Sequence, residues 1–400
     1  MKYIVVLGDG WADYPDESGM TPLSLAHKPN IDALAARSVC GLCKTVPDGM
    51  KPGSDVANMA VMGYDPKKYY TGRSPLEAAS MGIDLAPDDA ACRCNLVTLG
   101  GDGPYEEREM TDYSAGEIDT QSAAALIKEL NEKLDMPEGW ELHAGVSYRH
   151  CLVRRHAKTG AVLTPPHDIS GRKIKDYLPG GEDGDALLAF QKKSMEVLSA
   201  SPVNAERAAR GENVANSCWL WGEGTRPSFT PMLELHGLKG AVISAVDLVK
   251  GLGKVAGMDV IEVEGACGTL NTNFAGKAAA ALEAIKDHDF VYIHMEAPDE
   301  CGHQGDKEGK IKSIELIDRL VVGPIYEEMT RRGEPFRMLV TPDHPTPLAL
   351  RTHVSDPVPF VMYDSEKEVH GCETYNEMNV RTTRVYFGSG VEMFAAFTGK

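Results

Sequence analysis

The sequence predicts an α/β protein whose largely parallel sheet is flanked by helices and is interrupted by a smaller, inserted α+β domain. Apolar runs that read as buried strands alternate with helical patterns at both ends of the chain, which is typical of a parallel sheet. The middle of the chain instead combines strand pairs with Pro, Gly and acidic clusters such as LPGGEDGD (178–185). We therefore expect a core of residues 1–87 and 206–400 and an inserted domain at 88–205.

Six apolar runs predict the strands of the core sheet because they are short and rich in β-branched residues. They are YIVVL (3–7), GAVISAV (240–246), DVIEVE (259–264), DFVYIHM (289–295), RMLVT (337–341) and PFVMY (359–363). The clearest helical patterns between them span 273–288 and 310–332. In the inserted domain, ACRCNLVTL, ELHAGVSYRHCLVRR and GAVLTPP predict antiparallel strands, and a helix is expected at 186–199.

Composition narrows the classes of function. The chain has 400 residues, of which 42% are hydrophobic and 25% charged, as in ordinary globular proteins. Its net charge of −18 argues against a nucleic-acid partner, which requires a basic surface. No apolar run approaches the ~20 residues of a membrane span, and no signal-peptide pattern is present, so we expect a cytoplasmic protein without a membrane partner. The pattern leaves homo-oligomerisation open.

The nine cysteines are an odd number and are scattered along the chain, which favours a reduced compartment. Cys40 and Cys43 match C-x-x-C. Because no second pair accompanies them, packing is favoured over a redox or zinc role.

A Gly-Asp-Gly turn at 8–10 follows the first predicted strand directly. A strand that enters G-x-G suggests a dinucleotide-binding loop, but Asp13 stands where the third glycine is required. Asp9 would also place a carboxylate against the pyrophosphate, and like charges repel. The turn therefore needs another explanation, and Asp13 has no role in the pattern.

Further polar residues follow predicted strands, where α/β sheets gather their ligands. Asp299 and His303 lie four residues apart after DFVYIHM, which places both on one face if a helical turn begins there. In all, three carboxylates and three imidazoles occupy such positions: Asp9, Asp299, His303, Asp343, His344 and His353. Each alone is more often a cap or surface residue. Together they suit Mn²⁺, Zn²⁺ or Mg²⁺, and six ligands predict two ions about 3.5–4 Å apart, an arrangement used for displacement at phosphorus.

Ser54 opens an apolar helical stretch in PGSDVAN. By itself this pattern favours a helix N-cap. The alternative is a nucleophile whose hydroxyl is ionised by a metal and therefore needs no histidine base.

These motifs, together with SPLEAAS, GVSYRHCLV, TPPHDISG and VDLVKGLGKVAGM, resemble the alkaline phosphatase superfamily and, within it, the archaeal-type cofactor-independent phosphoglycerate mutases. The resemblance implies an alkaline-phosphatase-like fold, two divalent ions, and a substrate-binding lid role for the inserted domain at 88–205. The mixed Asp and His ligands favour Mn²⁺ or Zn²⁺, with Mg²⁺ and Co²⁺ as alternatives. The resemblance also implies that Asp9, Ser54, Asp343 and His344 hold one ion, and that Asp299, His303 and His353 hold the other.

The resemblance further implies an isomerase that interconverts 3-phosphoglycerate and 2-phosphoglycerate independently of 2,3-bisphosphoglycerate. Ser54 would take the phosphoryl group from one hydroxyl and return it to the neighbouring one. The substrate needs basic residues because guanidinium groups fix both the charge and the orientation of carboxylates and phosphates. The candidates are Arg73, Arg93, Arg149 and Lys250, and His150 and His167 are either helpers or structural residues.

Three alternatives remain open. NSCWLWGEGTRPSF (216–229) resembles relatives labelled putative homoserine kinases, but GLGKV (251–255) has Leu248 where a phosphate-binding loop needs its first glycine. A metal-dependent phosphatase would use the same ions without excluding water. An inactive metal-binding protein is disfavoured because the ligand set and Ser54 are complete.

Overall fold

The structure is a computed structural model that describes all 400 residues. Its strands are β1 (Lys2–Gly8), β2 (Val39–Cys43), β3 (Ala90–Gly100), β4 (Glu109–Asp112), β5 (Trp140–His143), β6 (Arg149–Arg154), β7 (Ala161–Val162), β8 (Gly180–Gly181), β9 (Ser217–Thr225), β10 (Gly240–Ile243), β11 (Asp259–Val260), β12 (Phe290–Met295), β13 (Phe336–Thr341), β14 (Val358–Asp364) and β15 (Tyr386–Phe387).

Its α-helices are α1 (Pro22–Leu25), α2 (Pro29–Ala35), α3 (Ser54–Val61), α4 (Pro66–Tyr69), α5 (Ser74–Ser80), α6 (Thr120–Lys133), α7 (Gly184–Ser199), α8 (Pro202–Ala209), α9 (Met232–His236), α10 (Asp247–Val255), α11 (Phe274–Asp287), α12 (Ala297–Gln304), α13 (Lys307–Ile317), α14 (Gly323–Arg332), α15 (Asn379–Thr382) and α16 (Gly390–Thr398). Short 3₁₀ turns lie at Tyr105–Glu107, Pro166–Ile169 and Ile174–Tyr177.

The chain divides into two compact units, one formed by Met1–Tyr70 with Ser228–Lys400 and the other by Thr71–Pro227. The second unit therefore begins at 71 rather than at 88, and it ends at 227 rather than at 205. The difference arises because β9 pairs with β3 along most of its length and because α5 packs against both strands. Such pairing joins segments that are distant in sequence, and local composition does not report it.

The first unit contains an eight-stranded sheet in the order β11-β10-β12-β1-β13-β14-β2-β15. Its five strands from β11 to β13 are parallel, and β14 is antiparallel to both of its neighbours. Strand β12 is buried at every position, as expected where helices cover both faces of a parallel sheet. The predicted α/β fold with a largely parallel sheet is confirmed.

Two predicted elements are shorter or less regular than expected. The run at 259–264 contributes only the two-residue edge strand β11. The long helix predicted at 310–332 is divided into α13 and α14 by a π-helical turn at Asp318–Val322. Pro324, two residues after this turn, lacks a backbone N–H, so the regular hydrogen-bond ladder is interrupted there.

The second unit is built on an antiparallel sheet in which β3 pairs with β4, β6 and β9, while β5 pairs with β6. Helices α6 and α7 cover one face and bury apolar residues such as Leu126, Leu130, Leu187 and Phe190 against it. This arrangement is the expected α+β domain. No helix in either unit is long and apolar enough to cross a bilayer. All nine cysteines are free thiols, and Cys40 and Cys43 are buried in β2.

Candidate active site

Three neighbouring parallel strands bring the predicted ligands of the first unit to one edge of its sheet. Asp9 follows β1, while Asp343 and His344 follow β13. Asp299 lies on α12, which begins two residues after β12 ends. Because β12 and β13 are the two neighbours of β1, their carboxyl ends lie side by side.

The first group of side chains consists of Asp9, Ser54, Asp343 and His344. His344 Nε2 is 3.1 Å from Ser54 Oγ, 3.3 Å from Asp343 Oδ2 and 3.6 Å from Asp9 Oδ1. Asp9, Asp343 and His344 are completely buried, and Ser54 at the first position of α3 is half-buried. The structure therefore brings these four residues together around one point.

The second group consists of Asp299, His303 and His353. Helix α12 places Asp299 and His303 one turn apart, and their Oδ2 and Nε2 atoms are separated by 3.2 Å. His353 Nε2 lies 3.4 Å from Asp299 Oδ1 and 2.9 Å from His303 Nε2. The two groups adjoin, because the ring centroids of His344 and His353 are 4.1 Å apart.

The buried carboxylates of this centre lie close together, which favours the binding of cations. Burial raises the pKa of Asp9 well above its usual value, and the nearby carboxylates of Asp343 and Asp299 raise it further. Asp9 Oδ1 is buried without a hydrogen-bond partner. Burial also raises the pKa of Glu296 to about 7, again with a contribution from Asp299. The raised pKa values of Asp9 and Glu296 show that their charged forms are disfavoured unless a cation compensates them.

His303 is oriented as a metal ligand requires. His303 Nδ1 lies 3.0 Å from the Arg351 carbonyl oxygen, which makes Nδ1 the protonated nitrogen and turns Nε2 toward Asp299. Burial lowers the pKa of His303, but the hydrogen bond and charge of Asp299 outweigh burial and raise it to about 9. A cation bound between His303 Nε2 and Asp299 would take the place of the proton on Nε2. Mixed carboxylate and imidazole donors fit divalent transition metals, so the residues present fit the implied ions.

Sequence reasoning missed several residues that contact the ligands. His294 Nε2 lies 2.8 Å from Asp9 Oδ2, and its Nδ1 lies 3.2 Å from Ser244 Oγ. The hydroxyl of Thr346 donates to Asp299. His294 occupies the second-to-last position of β12, beside the turn that carries Asp9, and this position in YIHM was the available signal.

Asp13, which had no role in the sequence pattern, is an anchor of the loop after β1. Lys310 on α13 donates to Asp13 Oδ2 at 2.7 Å and to the Thr346 carbonyl oxygen at 2.8 Å. Asp13 also accepts the backbone N–H groups of Tyr14 and Leu348. The buried pair thus ties the loop of Asp9 to the loop that follows His344.

The basic residues predicted to bind substrate fall into both units. In the first unit, Lys250 on α10 pairs with both carboxylate oxygens of Glu262, at 2.9 and 2.7 Å. In the second unit, the guanidinium groups of Arg73 and Arg93 both contact Glu77. Lys250 therefore has an acidic partner of its own, and the structure brings Arg73 and Arg93 together.

Trp221 packs against two members of the arginine cluster, which consists of Arg73, Arg93 and Arg149. The carbon centres of the Arg73 and Arg93 guanidinium groups lie 5.7 and 5.1 Å from its ring centroid. Burial raises the pKa of Glu77, but Arg93 and then Arg73 outweigh burial and lower it, with a smaller contribution from Arg149. The Glu77 carboxylate therefore interacts with the charges of all three arginines.

The two candidate histidines differ in their surroundings. The ring of His167 packs edge-on against Trp221 at 5.3 Å, beside the arginine cluster. His150 is 2% exposed and accepts the Gly145 backbone N–H at its Nδ1. On the antiparallel ladder, His150 faces Cys94, a neighbour of Arg93, so it points to the opposite side of the sheet from the cluster. His150 is therefore a buried residue of the core.

Comparison with known proteins identifies the family. Residues 35–204 match the family model described as 2,3-bisphosphoglycerate-independent phosphoglycerate mutase. The protein of that name from Methanosarcina barkeri is 50% identical over 385 residues, which cover 95% of each chain. A probable mutase of the same description from Geobacter sulfurreducens is 49% identical over 396 residues, covering 98% of each chain.

Solved structures agree with the sequence comparison. A protein of Pyrococcus horikoshii superposes with a TM-score of 0.81 at 27% identity, covering 100% of this chain and 97% of that one. The cofactor-independent phosphoglycerate mutase of Thermoplasma acidophilum has a TM-score of 0.63 at 26% identity, with 100% of both chains covered. These likenesses confirm the family resemblance noted in the motifs. The chain belongs to the 2,3-bisphosphoglycerate-independent phosphoglycerate mutase family.

Proposed function

We propose that the protein interconverts 3-phosphoglycerate and 2-phosphoglycerate through a phosphoserine on Ser54, with two divalent cations, Mn²⁺ or Zn²⁺, in the buried centre. Asp9, Ser54, Asp343 and His344 would hold one cation, and Asp299, His303 and His353 the other. The observation that carries the proposal is the position of Ser54. Its hydroxyl is the one half-buried nucleophile of the first group, and the other three members are completely buried.

The phosphoryl group would be transferred in two steps. In the first, Ser54 Oγ forms a bond to phosphorus while the bond from phosphorus to the glycerate oxygen breaks, and the serine proton ends on that oxygen. In the second, the neighbouring hydroxyl of glycerate attacks the phosphoserine, and its proton returns to Ser54. When bound, the cations supply Lewis acidity that lowers the pKa of the serine hydroxyl and neutralises charge on the phosphoryl oxygens.

The remaining residues bind and orient. The carboxylates of Asp9, Asp299 and Asp343 would supply the negative charge that binds the two cations. In the second unit, Arg73, Arg93 and Arg149 would bind the carboxylate and phosphate groups of the substrate, because guanidinium groups form paired, charge-assisted hydrogen bonds with such anions. For Lys250 to bind substrate as well, its ammonium would have to leave Glu262.

Replacement of the nucleophile tests the proposal. We expect Ser54→Ala to abolish interconversion of the two phosphoglycerates while Mn²⁺ binding, measured by titration calorimetry on metal-stripped protein, is retained in large part. The control is Ser313→Ala, because Ser313 is a helical serine of the first unit that donates to the Lys310 carbonyl oxygen and lies outside the candidate centre. Interconversion by Ser54→Ala at the rate of Ser313→Ala would overturn the phosphoserine mechanism.

The same assay separates the alternative reactions. Inorganic phosphate released from 3-phosphoglycerate faster than 2-phosphoglycerate forms would identify a phosphatase. Phosphorylation of homoserine by ATP, with no interconversion of phosphoglycerates, would identify a kinase. We expect neither, because the relatives that match nearly the whole chain carry the mutase description.

A further inference from the structure

Asn58 lies at the junction between the helix of Ser54 and a carboxylate of the candidate metal centre. It is completely buried on α3, one helical turn after Ser54. Its side-chain Nδ2 donates to Asp343 Oδ2 at 2.7 Å and to the Ser54 carbonyl oxygen at 2.8 Å. One amide group therefore contacts both the backbone of the nucleophile and the carboxylate opposite it.

The orientation of this amide is fixed by Tyr292. The Tyr292 hydroxyl, completely buried on β12, donates to Asn58 Oδ1 at 2.7 Å. An asparagine amide has two N–H donors and one carbonyl acceptor, and the three contacts use all of them. If the amide were flipped, its N–H groups would face the tyrosine hydroxyl and its oxygen would face Asp343, so the network permits one orientation.

Asp343 depends on this donor. Its Oδ1 accepts the backbone N–H groups of Gly10, at 3.2 Å, and of His344, at 2.8 Å. Asn58 Nδ2 is the partner of its other oxygen, Oδ2. Loss of the Asn58 donor would leave the carboxylate held at Oδ1 alone, and Oδ2 would no longer be fixed 3.3 Å from His344 Nε2.

We propose that Asn58, held by Tyr292, is a positioning residue that sets the Ser54 helix and the Asp343 carboxylate at a fixed separation for cation binding and phosphoryl transfer. This role rests on the proposed function of Ser54. It extends that function to two side chains that touch neither the substrate nor, by the ligand assignment above, a cation. A buried network of this kind is effective because each hydrogen bond orients the next one.

The test variant is Tyr292→Phe, which removes one hydroxyl and keeps the ring in the core. Its matched control is Tyr64→Phe, since Tyr64 is also completely buried in the first unit and donates to a carbonyl oxygen, that of Thr230, at 2.9 Å. Both variants lose one buried hydrogen bond, so a merely structural role would affect them equally.

We expect Tyr292→Phe to lower kcat by about 10- to 100-fold and to weaken Mn²⁺ binding to metal-stripped protein by a similar factor. We expect KM for 3-phosphoglycerate to stay within about twofold, because no substrate contact is removed. Tyr64→Phe should retain the kcat and the Mn²⁺ affinity of the unaltered protein. If Tyr292→Phe matches Tyr64→Phe in both quantities, the positioning role is refuted.

A second variant tests the role at Asn58 itself. Asn58→Ala removes both donors at once, and its fold is checked by circular dichroism. We expect its Mn²⁺ affinity and kcat to fall at least as far as those of Tyr292→Phe, and unchanged values in a folded protein would also refute the role. Ser54→Ala tests the proposed function separately. An inactive Ser54→Ala together with a fully active Asn58→Ala would refute the positioning role and leave the proposed function intact.

Discussion

The buried ion pair of Asp13 and Lys310 allows a quantitative prediction of folding stability. Lys310→Met keeps an unbranched side chain, one atom shorter, and removes its charge. The Lys310 ammonium donates to Asp13 at 2.7 Å, to the Thr346 carbonyl oxygen at 2.8 Å and to the Ala12 carbonyl oxygen at 3.4 Å. The two side chains are 0% and 3% exposed. Methionine would therefore leave a buried carboxylate without its cation.

The expected loss of stability follows from this burial. Removal of one partner of a buried ion pair typically costs about 3–5 kcal/mol. Asp13 keeps the backbone N–H donors of Tyr14 and Leu348, which places the expected loss at the lower end, about 3 kcal/mol. For a unit of this size, such a loss corresponds to a fall in Tm of roughly 6–12 °C.

Thermal unfolding followed by circular dichroism measures this loss. The control is Lys307→Met, because Lys307 forms an exposed pair with Asp16, whose loss should cost less than about 1 kcal/mol. In Asp13→Asn/Lys310→Met the unpaired charge is also removed, and we expect at least half of the lost stability to return. The reasoning is refuted if Lys310→Met is no less stable than Lys307→Met, or if the double variant recovers nothing.

Three further predictions concern the turn, the arginine cluster and a buried histidine. Gly10→Ala should weaken Mn²⁺ binding in calorimetry by about tenfold or more, because the new Cβ would lie 2.5 Å from Asp299 Oδ1 and the backbone φ is +60°. Arg93→Met should raise KM for 3-phosphoglycerate by about tenfold or more and leave Mn²⁺ affinity unchanged. Burial, with smaller contributions from Arg93 and Arg149, lowers the pKa of His150 to about 3, so below about pH 6.5 the unfolded chain gains a proton that the folded chain does not. Stability should therefore decrease as the pH is lowered. Between pH 7.5 and 5.5 the free energy of unfolding should decrease by about 1.4 kcal/mol more in the unaltered protein than in His150→Asn.

Each of these predictions has a control. Gly171→Ala carries the same backbone strain as Gly10→Ala, with φ at +72°, but its Cβ would meet nothing within 4 Å, so equal effects would contradict the contact argument. For the arginine cluster, Arg210→Met removes a half-exposed arginine paired with Glu212, and its KM should not change. For His150, equal loss of stability on acidification in the two proteins would show that the histidine is protonated in the folded state.

The sequence predicted the elements whose signals are local. Buried strands such as β1, β12 and β13 are short apolar runs, and Asp9, Asp299 and Asp343 follow them at positions where parallel sheets collect polar groups. The ligand assignment, although the structure brings those residues together, remains a prediction until cations are measured.

The sequence did not predict the contacts that depend on pairing between distant segments. The donation from Asn58 to Asp343 spans 285 positions of the chain, and the contact between His294 and Asp9 also spans 285. Neither has a local pattern, because strand register and helix docking determine both. The same cause explains the displaced borders of the second unit, where β9 joins β3 from the far side of the insertion. Lys250 illustrates the opposite case, since its partner Glu262 is only 12 positions away and lies in the loop just after β11.

The most direct test of the account is to trap the phosphorylated enzyme. Metal-stripped protein is reloaded with Mn²⁺, mixed with 3-phosphoglycerate, quenched in acid during turnover and digested for mass spectrometry. We predict one added phosphoryl group on the peptide that contains Ser54, and none when Mn²⁺ is omitted. Rapid formation of 2-phosphoglycerate with an unmodified Ser54 peptide, or with the phosphoryl group on another residue, would contradict the mechanism.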